Sequence, residues 1–142
     1  VKLPDVNLLI YAIDEDAPRH EKARAWLEEV LSGTEAVAFA WAALLGFVRV
    51  STNPAAFESP LSAEDALDYV EGWLDQPVAD VVHPTPEHAS TLRELLGPTG
   101  AAGNLTSDAH LAALAMEHGA ELCSCDTDFA RFAGLRWRDP LR

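Results

Sequence analysis

Apolar residues recur along this chain in two rhythms. Between Arg19 and Leu31 they fall three and four positions apart, at Ala23, Trp26, Leu27, Val30 and Leu31, with Glu21, Lys22, Glu28 and Glu29 on the other side. That spacing predicts an amphipathic helix with one buried face, ended by Ser32-Gly33. The same rhythm returns at Trp41, Leu44, Leu45 and Val48 and stops at Thr52-Asn53-Pro54. It returns again at Ala63, Ala66, Leu67, Val70 and Leu74, behind Ser62 as N-cap. Thr85-Pro86 predicts a further helix start, with proline in the first turn where its missing N–H costs nothing; Leu92, Leu95 and Leu96 face inward and Gly97-Pro98 closes it. Val6 to Ile13 and Leu105 to His118 read as helices apolar almost all round, the second capped by Gly119. Short apolar runs make the second rhythm. Strands are expected at Lys2–Asp5, Ala36–Ala40, Ala79–His83 and Glu121–Cys125, with an edge strand at Arg136-Trp137. Asp14 to Pro18 and the glycine-bearing stretch from Pro98 to Asn104 read as loops, and Asp128 to Phe132 as a short helix.

Strands alternating with helices predict an α/β fold, a mainly parallel central sheet flanked by helices, in one domain over residues 1–142. Such sheets place their chemistry at the carboxyl ends of the strands. The residues there are acidic: Asp5 ends the first strand, Asp126 follows the Glu121–Cys125 strand, and Asp108 lies in the first turn of the last long helix. Each has a plainer reading alone. Asp5 could cap a helix, Asp108 could answer a helix dipole, with Asn104 or Ser107 as the cap, and Asp126 could simply make a turn. Together, with Asp128 as a fourth candidate, they read as a constellation. Converging carboxylates repel one another and persist where a cation binds. All-oxygen ligation selects a hard ion such as Mg²⁺ or Mn²⁺, which can activate a water and stabilise charge building on a phosphate. No G-x-S-x-G elbow, H-E-x-x-H pair or phosphate-binding loop offers another chemistry; Gly97 to Asn104 lacks the Lys-Ser/Thr such a loop requires.

The net charge of −13 runs against a simple nucleic-acid binder. Bound metal could offset it locally, as could a basic strip formed by Arg131, Arg136, Arg138 and Arg142; an acidic surface would equally suit a basic partner protein. Hydrophobic residues make up 49% of the chain without any apolar run near the ~20 residues of a membrane span. Val1 to Asp5 is expected to leave no room for a signal peptide before the first structural element, and the protein is expected to act in the cytoplasm without a membrane. Cys123 and Cys125 are expected as buried free thiols on one face of a strand.

Four stretches resemble the PIN-domain family, and within it the toxins of VapC type. Asp5-Val6-Asn7-Leu8-Leu9-Ile10-Tyr11-Ala12 resembles the family's opening D-x-N motif, and Asn104 to Ala113 (NLTSDAHLAA) its central aspartate motif. Ser124-Cys125-Asp126-Thr127-Asp128-Phe129 resembles the late S/T-x-D-x-D-F motif, and Ala130 to Leu141 the ending common among those toxins; Phe47 to Pro54 also resembles that subgroup. The resemblance implies a small doubly wound sheet and a metal-dependent endoribonuclease toxin that cleaves structured RNA, tRNA or rRNA, and is held by a cognate antitoxin. It also implies a homodimer. By motif position Asp5, Asp108 and Asp126 would be metal ligands, with Asp128 ligating a second ion or acting through water, and Asn7 and Ser124 would orient the carboxylates.

One position departs from the family. A glutamate common in the helix after the second strand aligns with Gly46, and no acid lies between Glu35 and Glu58. The loss could weaken metal affinity, shift ligation to Asp128 or leave a poor enzyme; Gly46 could instead admit a neighbouring helix. A catalytically weak PIN-fold module that binds RNA or antitoxin is therefore the alternative. A phosphatase on a similar sheet is more distant, because Asn7 stands where its second aspartate would. Arg49 could touch RNA phosphate, though pairing with a surface acid is the plainer expectation; His110 is expected to diverge from Asp108, and Trp26, Trp41, Trp73 and Trp137 to serve the core or an interface.

Overall fold

Five very short strands form one sheet in the order β3-β2-β1-β4-β5, and every neighbouring pair is parallel. They are β1 (Lys2–Pro4), β2 (Val37–Phe39), β3 (Ala79–Val81), β4 (Glu121–Cys123) and β5 (Trp137–Arg138). The computed structural model describes residues 1–142 apart from Ala101, Ala102 and Asn104. Six α-helices among the described residues flank the sheet: α1 (Val6–Ile13), α2 (His20–Leu31), α3 (Trp41–Ser51), α4 (Ala63–Leu74), α5 (His88–Leu96) and α6 (Leu105–Glu117). None is long and apolar enough to cross a membrane.

The central strands carry no polar face because helices cover both sides, so Leu3, Val37, Phe39 and Leu122 are all buried. Small side chains let α6 be buried on most of its circumference, through Ala109, Ala112, Ala113 and Ala115 beside Leu111 and Leu114. Elsewhere in the core Phe47 and Trp73 meet edge to face at 4.8 Å, and Phe39 stacks on Trp73 at 6.4 Å.

Several boundaries differ from expectation, each for a local reason. β3 stops at Val81, and the chain turns away once the His83 carbonyl accepts from His118 Nε2 at 2.7 Å. β4 stops at Cys123 because the Cys125 amide donates to Asn7 Oδ1 at 3.4 Å instead of joining the ladder. Cys125 is therefore only half-buried, beside Asp139, while Cys123 is buried and both thiols are free. α5 begins at His88, beyond Pro86, because Thr85 is held elsewhere: its amide and hydroxyl both donate to the Glu117 carboxylate at the end of α6. Gly97-Pro98 does not end the chain's helical course but opens a 3₁₀ turn, Gly97–Thr99, closed by Gly100 at φ 71°. The Asn104 cap lies outside the described residues.

Gly46 is buried on the side of α3 that meets α1. A Cβ built there would lie 3.0 Å from Val6 Cγ2. The packing explanation for the glycine thus has a definite contact behind it: a side chain at position 46, acidic or not, must displace Val6. Gly46→Ala removes the helix cost of glycine, about 1 kcal/mol, but creates this clash. We expect the full stabilisation only in a Val6→Ala background, with a smaller gain or a loss when Val6 is present. Urea denaturation of the four-protein cycle measures the coupling, and equal effects in both backgrounds would refute the contact.

Candidate metal centre

Topology brings the acids together. In a parallel sheet every strand's carboxyl end, and the amino end of the helix that follows it, lie on the same edge of the sheet. β1, β2 and β3 run outward one way while β4 and β5 lie on the other side of β1, so the chain reverses between β1 and β4. That crevice is where such folds bind ligands. The register pairs Pro4 with Cys123, and continuing it places Asp5 beside Ser124.

Ser124 Oγ donates to Asp5 Oδ2 at 2.7 Å and accepts from the Asp126 amide at 3.0 Å and from Asn7 Nδ2 at 3.1 Å. Asn7 Nδ2 also reaches Asp5 Oδ2 at 3.3 Å. Asp5 Oδ1 accepts from the Val6 amide at 2.7 Å, which makes Asp5 the N-cap of α1. Thus Asn7 and Ser124 both bond the Asp5 carboxylate, while at Asp126 Ser124 touches only the amide. Asp5 is 5% exposed, and burial, with the Asp126 charge, raises its pKa against the hydrogen bonds from Ser124 and Val6.

Asp126 caps the 3₁₀ turn Thr127–Arg131 through Oδ1, which accepts from the Asp128 amide at 2.9 Å. Asp108 projects from the first turn of α6. One ligand oxygen from each of Asp108, Asp126 and Asp128 can be chosen so that all three lie within 4.8 Å of one another. Asp5 is outside this group, its oxygens turned to α1 and Ser124. Asp128, expected in a subsidiary role, is within it, and its carboxylate also meets Arg131 at 3.3 Å. The donor set is all carboxylate oxygen, which fits a hard divalent cation. Burial first, then the charges of Asp126, Asp5 and Asp128, against some relief from Arg131, push Asp108 up to about 6.

The four arginines that could make a basic strip are each engaged by the protein's own acceptors. Arg131 pairs with Asp128, Arg138 with Glu121 at 3.7 Å and Arg142 with Asp139 at 3.8 Å, and Arg136 donates to the Gly119 carbonyl at 2.6 Å. A cavity of about 880 Å³ opens between α2 and α4, bordered by Leu27, Leu31, Tyr69 and Trp73, and none of the four aspartates lines it.

The sequence reading missed a second polar cluster. The Glu117 side chain is 5% exposed and accepts from Thr85 and from His88 Nδ1; His88 Nε2 meets His110 Nδ1 at 2.9 Å. Burial raises the Glu117 pKa, but the hydrogen bonds from Thr85 and His88 outweigh it and lower the net value. An ionised carboxylate only accepts, so His88 Nδ1 carries the proton. The cluster ties α5 and its entry loop to α6, which explains why His110 does not face Asp108. Only the folded chain could reveal it, since its members are separated by 22 to 32 positions.

Three comparisons bear on this geometry. The family model described as the PIN domain matches residues 2–135. The chain is 45% identical over 140 residues to Ribonuclease VapC37 of Mycobacterium tuberculosis, covering 99% of this chain and 97% of that one. It is 41% identical over 137 residues to VapC ribonuclease Mb2897 of Mycobacterium bovis, covering 96% and 93%. In backbone it resembles a chain of VapBC2 from Rickettsia felis bound to a promoter DNA fragment, at TM-score 0.70 and 18% identity over 96% of both chains. It also resembles a chain of VapBC-1 from nontypeable Haemophilus influenzae, at TM-score 0.68 and 18% identity over 99% and 98%.

Asp108 holds its proton more tightly in the folded chain than unfolded. From the ordinary carboxylate range up to about pH 6 the native state therefore carries the extra proton, and raising pH through that window lowers stability. We expect the melting temperature of metal-free protein to fall, relative to Asp108→Asn, between about pH 4 and about pH 7, and added Mg²⁺ to reverse the fall. Parallel pH profiles for the two proteins would contradict this.

Proposed function

This chain belongs to the PIN-domain family, and from that premise we propose that it is a metal-dependent endoribonuclease, the toxin of a toxin–antitoxin pair. The observation that carries the reading is the convergence of Asp108, Asp126 and Asp128 at the carboxyl edge of the sheet, with Asp5 buried beside them. The names of the curated relatives support ribonuclease activity, and the VapBC complexes support an antitoxin partner.

Asp108, Asp126 and Asp128 would hold Mg²⁺ or Mn²⁺, with Asp5 adding its negative field and, once its hydrogen bonds rearrange, a ligand oxygen. Bound there, such an ion supplies a water of lowered pKa and stabilises charge on the phosphate under attack. The chain's own residues do the rest. Ser124 and Asn7 fix Asp5 and the Asp126 amide, so the acidic turn and the end of β1 move as one unit. The first turn of α6 presents Asp108 toward both. Structured cellular RNA, tRNA or rRNA, is the proposed substrate, and a homodimer the proposed assembly. Gly46 favours a second reading, a weakly catalytic module that binds RNA or antitoxin, because Val6 fills the space an acid would need.

Purified, antitoxin-free protein incubated with total cellular RNA should yield discrete fragments with Mg²⁺ or Mn²⁺ and none with chelator. Asp108→Asn and Asp126→Asn should each lower the rate by at least about a hundredfold while leaving the protein folded. Intact RNA at saturating metal, with RNA affinity unchanged in those variants, would replace the enzyme with the binding module.

A further inference from the structure

An acidic chain that cleaves RNA must hold phosphate somewhere, and its ten lysines and arginines are few enough to follow individually. Seven are engaged. Lys2 pairs with Glu35 and Glu121, Arg19 with Asp139, Arg24 with Glu21 and Glu28, and Arg131, Arg136, Arg138 and Arg142 are held as described above. Among the described residues, Lys22, Arg49 and Arg93 make no side-chain hydrogen bond or ion pair.

Of these three, Arg49 is the one placed near a residue that is itself bonded to the acidic centre, Val6 at the start of α1. Its Nη2 lies 4.0 Å from the Cβ position that Gly46 lacks, and that position lies 3.0 Å from Val6 Cγ2. The Val6 amide in turn is 2.7 Å from Asp5 Oδ1. All three are exposed; Lys22 lies on α2 and Arg93 on α5, and among the described residues neither has a contact of this kind with a residue bonded to the aspartates. The plainer expectation for Arg49, a surface acid, is not met.

Electrostatics gives this cation a role. Four aspartates, offset by Arg131 and one divalent ion, remain net negative, so an incoming phosphodiester is still repelled. A guanidinium with unspent donors on the same side of the fold offsets the repulsion where the RNA backbone passes and binds phosphate oxygens in a directed, bidentate way. We propose that Arg49 binds a backbone phosphate of the RNA on the α1 side of the metal centre, with Gly46 placing no carboxylate beside the guanidinium where an acidic side chain would have neutralised it. This rests on the nuclease reading above.

The test is steady-state cleavage of one defined RNA by wild type, Arg49→Ala, Arg49→Lys, Lys22→Ala and Arg93→Ala at several salt concentrations, with folding checked by melting and mass checked in solution. Each alanine variant removes one positive charge, so a general charge effect would move all three alike. We expect Arg49→Ala alone to raise KM roughly tenfold with little change in kcat, and to flatten the slope of log(kcat/KM) against log salt by about 0.7. Arg49→Lys should restore most of that slope, because it keeps the charge. Unchanged KM and slope in Arg49→Ala, with wild type still cleaving, overturns the role of Arg49 and leaves the nuclease intact. Equal effects in all three alanine variants overturn it as well. A change of mass in Arg49→Ala, with KM restored at protein concentrations that restore the assembly, would place Arg49 in a protein interface and overturn it. Wild type that cleaves nothing under any metal removes both readings.

Discussion

The parallel pairing of β1 with β4 is the constraint on which the site depends. It is only three residues long, yet it fixes Asp5 opposite Ser124. Ser124 and Asn7 convert that register into a closed set of hydrogen bonds among Asp5, the Asp126 amide and the Cys125 amide. A one-residue slip would turn every alternate side chain to the other face of the sheet and separate the acids. The burial of Leu3 and Leu122 between helix layers makes that slip costly.

Charge is distributed unevenly around this frame. Away from the site, the more buried acids are answered: Glu117 by Thr85 and His88, Asp139 by Arg19 and Arg142, Glu121 by Lys2 and Arg138. At the site, among the described residues, Arg131 is the one cation paired with any of the four aspartates, and it meets Asp128. Among the described residues no hydrogen-bond donor holds the charge of Asp108; burial and its neighbours Asp126, Asp5 and Asp128 raise its pKa where that of Glu117 falls. The contrast between two partly buried carboxylates on one helix separates a structural acid from a candidate ligand more sharply than burial alone.

Gly46 joins the two themes. The missing Cβ lets α3 approach Val6 at the start of α1, so packing occupies the place of a fourth acid. The same absence leaves the guanidinium of Arg49 without a carboxylate at that position.

Much of this was legible in the chain. Helical and strand periodicity located the strands and α-helices, though not the 3₁₀ turn Gly97–Thr99, because burying one face leaves a pattern of period near 3.6 or an unbroken apolar run. The aspartates stood out because each follows an apolar segment. Element ends were less legible: α5 starts late because Thr85 is held by Glu117, 32 positions away, and β4 stops early because Asn7 takes the Cys125 amide, 118 positions away. The same limit applied to charge. Sequence supplied the tally of cations and acids, and suggested a basic strip at the end of the chain. Tertiary structure alone decided which arginines are neutralised, that Asp128 groups with Asp108 and Asp126, and that Asp5 turns toward Ser124. Periodicity records what each residue needs from its own segment, whereas ion pairs and ligand groups depend on which segments the sheet order brings side by side.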